Sequence, residues 1–224
     1  MNNGKKVNLE DVKNYYRTKI YLEKANEYLG VIGYTEHGER HARLTAKVAY
    51  NIMHCLGYGE HASELAAIAG YLHDIGNVVH RDYHSQSSAF IASEILYELG
   101  MPCEDVVEIM AAVGNHEEQI GDPISIVTSA VILADKADVH RSRVRTTAMI
   151  KFDIHDRVNY AARRSTIEVN EKNKSISLNI TIDTKISQVM EYFEIFLSRM
   201  MICRRAAKFL NCTFNLIINE IRLL

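Results

Sequence analysis

The stretch GYLHDIGN, residues 70–77, places an imidazole beside a carboxylate where an apolar segment ends. Residues 66–72 are almost all apolar or small, and they predict a buried helical face. Gly76 predicts the end of that helix, because glycine readily adopts the left-handed conformation that commonly terminates helices. A buried His or Asp side chain costs free energy unless it is paired or bound to a ligand. His73 and Asp74 are therefore the first candidates for a functional site.

The composition is that of an ordinary globular protein. The chain has 224 residues, of which 47% are hydrophobic and 24% charged, and this length suffices for one substantial domain with an appendage. The formal net charge of −2 gives no overall attraction to nucleic acids or acidic membranes, so we expect neither as a partner. An anionic substrate would then have to be bound by a local cluster of basic residues.

The cysteines and the amino-terminal residues predict a cytoplasmic protein. Four cysteines are scattered along the chain without a C-x-x-C pair, which argues against a cysteine-rich zinc site and a disulfide framework. The segment MNNGKKVNLEDVKNYY contains no apolar signal core, and no later run is long and apolar enough to span a bilayer. We therefore expect reduced thiols, a cytoplasmic location and no membrane partner.

Helical periodicity covers most of the chain before residue 164 and predicts a mainly α fold, with a helical domain over residues 1–164. The predicted helices cover residues 9–29 with Asn8 as cap, a segment after His41, residues 60–74, and segments around residues 90–99 and 106–113. A further helix is predicted to start at residues 122–123, since Asp caps helices and Pro fits the first helical position, and to end near Asp135. The segment NVVHRDYHS, residues 77–85, is predicted to be a polar loop.

The period changes beyond about residue 164, where apolar and polar residues alternate. Residues 166–169 and 175–182 flank the turn-rich stretch NEKNK and predict a β-hairpin with one buried face. A long apolar helix is predicted over residues 185–210, and residues 214–218 supply a third strand. Residues 165–224 are thus predicted to form a small β-β-α-β unit. Because the Met-rich, aromatic helix has more apolar surface than three strands can cover, we expect it to pack against another domain or subunit. A homodimer is the favoured interpretation, and a ligand-sensing role is the alternative.

Four residues able to bind a metal lie on or at the ends of separate predicted helices: His41, His73, Asp74 and Asp135. Side chains on facing helices of a bundle commonly converge on a metal in the core. Adjacent residues on a helix point about 100° apart, so joint binding by His73 and Asp74 favours the frayed helix end that Gly76 implies. These residue types in this arrangement predict a metal site with nitrogen and oxygen ligands.

The order H…HD…D, in the segments RHARLTAKVA, AGYLHDIGN and ILADKAD, resembles the HD-domain superfamily of metal-dependent phosphohydrolases. The resemblance covers roughly residues 35–146 and implies an HD-domain helical bundle. It also implies that His41, His73, Asp74 and Asp135 are the four ligands of a primary metal.

The resemblance extends to two further histidines, His84 and His116. They occupy the positions where binuclear members, such as the bacterial symmetrical diadenosine tetraphosphate hydrolases and the cyclic-dinucleotide phosphodiesterases, have extra ligands. If both carry over, they bind a second ion and Asp74 bridges the two. Each can instead bind substrate or cap a helix, because a single His is more often structural than a ligand. Asn77 stands where the cyclic-dinucleotide group has Lys, and that group's GYP motif is absent, so a cyclic dinucleotide is not the expected substrate.

Three residues outside the ligand set are candidates for substrate binding. His37 precedes His41 by four residues, as in H-x-x-x-H metal pairs, but Gly38 weakens a helix between them. We therefore assign His37 to substrate binding or to a position beside the ligands. His80 and Arg81 lie in a loop between two ligand positions, and such loops often carry substrate contacts.

Basic residues follow the last candidate ligand in the run KADVHRSRVR. Lys136 and Arg141 are predicted to contact a substrate phosphate from a helix that continues past Asp135. A solvated helix face is the alternative interpretation, and it is equally good for Arg143 and Arg145.

These observations predict a metal-dependent phosphohydrolase in which a metal-activated water attacks phosphorus in a nucleotide or a related phosphate ester. Asp74 is predicted to orient or deprotonate the water, while Lys136 and Arg141 stabilise the charge on the phosphate. The expected cofactor is one or two divalent transition ions per chain (Mn, Fe, Ni, Co or Zn), since His and Asp ligands accept all of them. The expected partner is a small phosphorylated substrate.

Two other functions remain open at this point. An HD-like diiron site can activate dioxygen, as a resemblance to myo-inositol oxygenase allows, and oxygen uptake would identify such an oxygenase. A non-enzymatic nucleotide-sensing module is the second alternative, although the intact ligand set argues against it. The sequence contains neither a G-x-S-x-G nucleophile elbow nor a catalytic Cys motif, so a nucleophilic side chain is not expected.

Overall fold

A computed structural model of the chain describes residues 6–146 and 153–223. Residues 1–5, 147–152 and 224, which the predicted domains include, lie outside the described residues. The described part contains nine α-helices: α1 (Leu9–Asn14), α2 (Tyr16–Val31), α3 (Glu39–Cys55), α4 (Gly59–Leu72), α5 (His84–Glu98), α6 (Cys103–Gly114), α7 (Ile126–Lys136), α8 (Ile154–Ala161) and α9 (Val189–Phe209). It also contains the strands β1 (Ala162–Asn170), β2 (Ser175–Ile182), β3 (Thr213–Ile218) and β4 (Ile221–Arg222), and two 3₁₀ segments, Ile75–Val78 and Arg141–Arg143. The predicted mainly α fold with a small sheet is confirmed. None of the described helices combines the length and the apolar composition that crossing a membrane would require.

Helices α3, α4 and α7 pack together at the centre of the helical part. Helix α4 is buried along most of its length because its sequence LAAIAGYL combines apolar with small residues. Gly70 allows a close approach, since a Cβ at this position would lie 3.1 Å from the backbone of Thr45 and Ala46 on α3. This contact brings the end of α4, which leads into His73, next to the first turn of α3, which carries His41.

The amino-terminal segment is broken where the sequence predicts one continuous helix over residues 9–29. Helix α1 ends and α2 begins around Tyr15, which has an extended ψ of 130°. The Asn8 side chain caps α1 by accepting a hydrogen bond from the Asp11 backbone N–H at 3.0 Å. The predicted cap is therefore confirmed, and the predicted continuity of the helix is wrong.

Helix α7 begins later than predicted and ends next to Asp135, as predicted. The Ser125 side chain accepts a hydrogen bond from the Thr128 backbone N–H at 3.1 Å and caps the helix, whereas residues 122–123 lie in the preceding loop. The helix ends at Lys136, so the predicted continuation toward Arg141 is wrong. Arg141 instead begins a separate 3₁₀ turn.

The four strands form one sheet in the order β1-β2-β3-β4. Strands β1 and β2 form the predicted antiparallel hairpin, and β3 lies parallel to β2 after a crossover through α9. Alternate residues of β2 are buried, as the sequence pattern predicts: Ile176, Leu178, Ile180 and Ile182. The hairpin, the long helix and the third strand are confirmed, whereas the short strand β4 and helix α8 are not among the predicted elements.

Helix α9 packs against both β3 and α7. Tyr192, Phe196 and Met200 on α9 are buried, so part of the apolar surface that the sequence assigns to dimerisation is covered within the chain. Other apolar side chains of α9 stay exposed: Met190, Leu197, Met201 and Phe209. Strand β1 begins at Ala162, close to the predicted domain boundary between residues 164 and 165, and that boundary stays a prediction.

Candidate metal centre

Four side chains from three elements converge in the core of the helical part: His41 on α3, His73 and Asp74 directly after α4, and Asp135 on α7. The Nε2 atoms of His41 and His73 are 3.1 Å apart. Each Nε2 lies 3.3–3.6 Å from Oδ2 of Asp74 and Oδ1 of Asp135. Donor atoms bound to one tetrahedral ion at about 2.0–2.2 Å are separated by about 3.3–3.6 Å. We call these four atoms the first group; their four imidazole–carboxylate distances match those between donors that share one ion.

Asp74 also takes part in a second group, formed with His84 at the start of α5 and His116 just after α6. Its Oδ1 lies 3.2 Å from Nε2 of His84 and 3.9 Å from Nε2 of His116. The two Nε2 atoms are 3.2 Å apart. Because Oδ2 of Asp74 faces the first group and Oδ1 faces the second, this carboxylate has the position of a bridging ligand.

Each of the four imidazoles points Nε2 at a ligand group and holds Nδ1 against a hydrogen-bond acceptor. The acceptors, at 2.6–3.0 Å, are Asp138 for His41 and the backbone carbonyls of Gly70, Arg81 and Val113 for His73, His84 and His116. Carbonyls and ionised carboxylates accept hydrogen bonds and do not donate, so Nδ1 carries the hydrogen and Nε2 of the neutral ring presents a lone pair. Two lone pairs facing each other at 3.1 Å repel unless a cation or a proton lies between them. This set of donors fits a divalent transition ion.

The family model described as "HD domain" matches residues 38–140. The matched range contains all the residues of both ligand groups. Residues 38–140 form an HD domain. HD domains belong to a superfamily of metal-dependent phosphohydrolases that bind divalent metals, so the predicted resemblance is confirmed.

The chain also resembles an uncharacterized protein of Methanocaldococcus jannaschii. The two sequences are 29% identical over 210 residues, which cover 80% of this chain and 81% of the archaeal protein. This similarity extends beyond the HD domain, because that domain accounts for less than half of the 224 residues.

Gly76 positions the two ligand groups of the HD domain relative to each other. Its backbone N–H donates to Oγ of Ser88 on α5 at 2.7 Å, and a Cβ at Gly76 would lie 2.3 Å from the Ser88 backbone N. The φ angle of Gly76 is not positive, so the expectation that it ends α4 in the left-handed conformation is wrong. Glycine is required here because α5 approaches so closely. This close approach brings His84 next to Asp74. His84 is the first residue of α5, whereas the sequence predicts it in a loop.

The charges within the HD domain favour the ligand forms of Asp74, Asp135 and His116, and they favour a positive charge at His73. Burial raises the pKa of Asp74 and Asp135, but nearby His73, together with Lys136 at Asp135, holds both well below the ordinary value. Burial lowers the pKa of His73, and the two carboxylates more than offset this and raise it to about 10. Burial and the neighbouring imidazoles hold the pKa of His116 well below the ordinary value. The carboxylates thus stabilise positive charge at the first group.

A chain of ion pairs links Asp135 of the HD domain to helix α9. Nζ of Lys136 lies 2.7 Å from Oδ2 of Asp135 and 2.7 Å from Oε2 of Glu118. Oε1 of Glu118 lies 3.3 Å from Nε of Arg199 on α9. Burial raises the pKa of Glu118, but Lys136 and Arg199 outweigh it and lower that pKa to about 2. Glu118 therefore stays ionised and joins the two cations across the boundary of the HD domain.

A cavity of about 330 Å³ opens beside the ligands. Four side chains line both this cavity and the space at the ligands: His37, Arg81, Arg143 and Arg199. Three of the four are guanidinium groups, so the passage from the cavity to the ligands is basic. A cavity of this size and charge suits a small anionic molecule.

Three of the predicted substrate residues lie at this passage. His37 is buried, with its Nδ1 donating to the Thr35 carbonyl at 2.7 Å. Nη1 of Arg81 donates to Oδ1 of Asn77 at 3.2 Å and lies 3.9 Å from Oδ1 of Asp74. Lys136 lines the space at the ligands as well, so the structure brings these three predicted residues together with both ligand groups.

Two other predicted residues lie away from the passage. The guanidinium of Arg141 lies over the ring of Tyr160, 5.2 Å from its centroid, and lines neither the cavity nor the space at the ligands. The side chain of His80 is 69% exposed, and its Nδ1 accepts a hydrogen bond from the Asp82 backbone N–H. The position of Arg141 away from the passage follows from the end of α7 at Lys136, because the helix does not continue as far as Arg141.

Three residues of the site have no assigned role in the sequence prediction, which also leaves open whether Arg143 contacts phosphate or solvent. Asp138 supports His41, Glu118 joins two cations, and Arg143 and Arg199 line the passage. Asp138 lies in the motif ILADKAD, where a second Asp three residues after a ligand was the available signal. Glu118 likewise follows a candidate ligand closely, two residues after His116. Nothing local in the sequence marks Arg199, because only the packing of α9 on α7 brings it to the site.

Proposed function

We propose that this protein is a metal-dependent phosphohydrolase that acts on a nucleotide or a related phosphate ester. The observation that carries the proposal is the sharing of Asp74 by two groups of ligand atoms next to a passage lined by guanidinium groups. Two divalent ions held by these groups supply Lewis acidity and an activated water near neutral pH. Mn, Fe, Ni, Co and Zn are all compatible with the His and carboxylate donors.

The balance of charge at the ligands supports an anionic substrate. Four carboxylates and four basic side chains line this space: Asp74, Glu117, Glu118 and Asp135 against Arg81, Lys136, Arg143 and Arg199. Their formal charges cancel, so each bound divalent ion makes the site more positive by two charges. Such a site attracts a dianionic phosphate more strongly than an uncharged molecule. This favours a phosphohydrolase over a diiron oxygenase with an uncharged substrate.

The side chains of the site would have separate roles in metal binding and in phosphate binding. Asp74 directs one carboxylate oxygen at each ligand group, so it acts as a bridging ligand that stays deprotonated. Lys136 directs two hydrogen bonds at Asp135 and Glu118 and keeps a third N–H for a phosphate oxygen. Arg81 and Arg143 flank the same space and would orient the phosphate from the cavity side.

A screen of phosphate monoesters and diesters, run with each of the five metals and with an oxygen electrode, tests the proposal. We expect phosphate release that depends on metal and proceeds without oxygen. Oxygen uptake without phosphate release would identify the diiron oxygenase instead. Tight binding of nucleotides by the metal-loaded protein, with no turnover of any ester, would identify the sensing module.

Lys136 and Arg141 form a matched pair for this screen, because they are close in sequence and equal in charge. Loss of a charge-assisted hydrogen bond to the phosphate costs about 1.5–3 kcal/mol, so Lys136→Ala should lower turnover about tenfold to hundredfold. Arg141→Ala should remain close to wild type, because its guanidinium lies on Tyr160. Metal content should be unchanged in both. Equal losses in the two variants would contradict the placement of the phosphate at Lys136.

The cellular location and the assembly complete the proposal. All four cysteines are free thiols, and two of them, Cys55 and Cys103, are exposed, which supports a cytoplasmic location. The exposed apolar side chains of α9 support a homodimer through the carboxy-terminal unit. Light scattering on wild type and on Leu197→Glu, which places a charge on that surface, tests the dimer.

A further inference from the structure

The cavity beside the ligands has a second wall with a different chemistry. Helix α8 and its cap supply that wall, which lines the cavity but not the space at the ligands, through Asp153, His155, Asp156 and Asn159. The wall therefore carries two carboxylates, an imidazole and an amide, whereas the passage to the ligands carries three guanidinium groups. A molecule that fills the cavity meets guanidinium donors at the passage and two carboxylate acceptors on the α8 wall.

Asn159 on this wall has an unused acceptor. Its side chain is 5% exposed, and its Nδ2 donates to the His155 carbonyl at 2.9 Å. This hydrogen bond fixes the orientation of the amide, because a carbonyl cannot pair with Oδ1. Among the described residues, no donor reaches Oδ1. A buried acceptor without a partner is costly, so this atom suits a ligand that brings an O–H or N–H group.

The carboxylates beside Asn159 add negative charge to the same wall. Oδ1 of Asp153 accepts hydrogen bonds from the backbone N–H groups of His155 and Asp156, so this oxygen serves as the helix cap. Burial and the charge of Asp153 raise the pKa of Asp156, which reflects how close the two acids are. A second phosphate placed here would face both acids.

Arg143 provides the complementary unused donor at the passage. Its guanidinium is 3% exposed and donates through Nη1 to the Asp138 carbonyl at 2.8 Å. Its Nε is buried and has no acceptor within the described part of the chain. A phosphate oxygen is the acceptor that a guanidinium beside a metal centre would bind.

We infer that the substrate is a phosphate monoester whose other end is uncharged or cationic and carries hydroxyl or amino groups. Its phosphate would lie at the ligands and Arg143, and its donor groups at Asn159, Asp153 and Asp156. The cavity of about 330 Å³ lies within the range of small-molecule sites, and Tyr34 and Phe196 add apolar walls for a ring. This inference rests on the proposed function and narrows it, because it excludes esters with a second phosphate at the far end.

The test compares three esters on the metal-loaded full-length protein. They are a nucleoside 5′-monophosphate, the 3′,5′-bisphosphate of the same nucleoside, and phenyl phosphate, which has no donor groups. We expect kcat/KM for the monophosphate to exceed that for the bisphosphate at least about tenfold, because like charges brought together cost more than 1.4 kcal/mol. Calorimetry with the corresponding non-hydrolysable phosphonates should give the same preference in affinity.

Two variants assign that preference to the acidic wall. Asp153→Asn with Asp156→Asn removes both charges and keeps a helix cap, since Asn caps as well as Asp. It should reduce the preference to less than about threefold and leave phenyl phosphate hydrolysis unchanged. Asp156→Asn alone, which leaves the cap residue untouched, should give an intermediate ratio. Asp82→Asn removes an exposed acid outside the cavity and serves as the matched control.

The outcomes separate the inference from the proposed function. The inference would be overturned if the wild type hydrolysed and bound the monophosphate and the bisphosphate equally well. It would also be overturned if the ratio of their kcat/KM values stayed unchanged in both variants. Phosphate release in either case would still uphold the proposed function. A binding preference that the variants abolish, without hydrolysis of any ester, would overturn the proposed function and uphold only the ligand preference of the cavity.

Discussion

The two ligand groups share Asp74 but are supported in different ways. The first group has four donor atoms, and one of its imidazoles, His41, is backed by the buried carboxylate of Asp138 at 2.7 Å. The second group has three donor atoms, and both of its imidazoles donate to backbone carbonyls. The first group also draws on α3, α4 and α7 in the centre of the fold, whereas the second lies at the start of α5 and just after α6.

This difference predicts an order of filling. A carboxylate behind an imidazole raises the basicity of the ligand more than a neutral carbonyl does, and it fixes the ring at the same time. An additional donor atom adds a further bond to the ion. The first group should therefore hold its ion more tightly, and the second should exchange its ion more readily.

The largest effect should come from the residue that the groups share. Asp74→Ala removes one donor from each group, so we expect metal content to fall from about two ions per chain to none and phosphohydrolase activity to be lost. Elemental analysis after gel filtration measures this. Asp82→Ala, an exposed acid in the same segment, should retain both ions. Equal metal content in the Asp74→Ala variant and wild type would show that neither group binds metal.

A smaller and more selective loss should follow from a change in the second group alone. His116→Ala leaves the four donors of the first group in place, so metal content should fall from about two ions to about one. Anomalous scattering at the absorption edge of the metal should then give one peak, near His41 and His73. Loss of both ions would mean that the two groups depend on each other and do not bind their ions independently.

The ligand residues are predictable from sequence because the chemistry demands particular residue types at helix ends. His73 and Asp74 stand out since an apolar segment cannot bury them without a partner. Helix periodicity likewise predicts most elements, and strict alternation in residues 175–182 predicts the strand β2. These signals are local, so one sequence is enough to detect them.

The remaining features depend on contacts between distant parts of the chain. Gly76 fits a helix stop locally, but its role is set by Ser88 on another helix. Arg141 and Arg143 differ little in sequence, and only the turn after α7 decides which one reaches the passage. Arg199 reaches the site because α9 packs against α7, and the periodicity of neither helix specifies that contact.

A substitution of Asp138, the carboxylate that accepts the hydrogen bond from His41, should have an intermediate effect on the affinity of the first group for its ion. Asp138→Asn keeps an acceptor for Nδ1 of His41 but removes the negative charge, so the first ion should bind about tenfold to hundredfold more weakly. The second ion should be unaffected. Competition with a fluorescent chelator measures both affinities.

Arg40 provides the control for Asp138, because it pairs with the same carboxylate at 2.7 Å and does not contact His41 through a hydrogen bond. Arg40→Gln should leave the first affinity within about threefold of wild type. An equal loss in Arg40→Gln and Asp138→Asn would assign the effect to packing around Asp138 instead of the charge behind His41.

The smallest effect should be on stability, because ligand binding stabilises a fold only with the logarithm of the ligand concentration. At one hundred times the dissociation constant, each ion should add about 2.7 kcal/mol, which raises the melting temperature of a chain this size by roughly 5–10 °C. Titrating metal into the metal-free wild type should therefore give two successive rises, the first at the lower concentration. His116→Ala should retain the first rise and lose the second, whereas His61→Ala, at an exposed histidine, should show both. If His116→Ala instead loses the rise at the lower concentration, the second group is the tighter one and the charge of Asp138 does not set the order of filling.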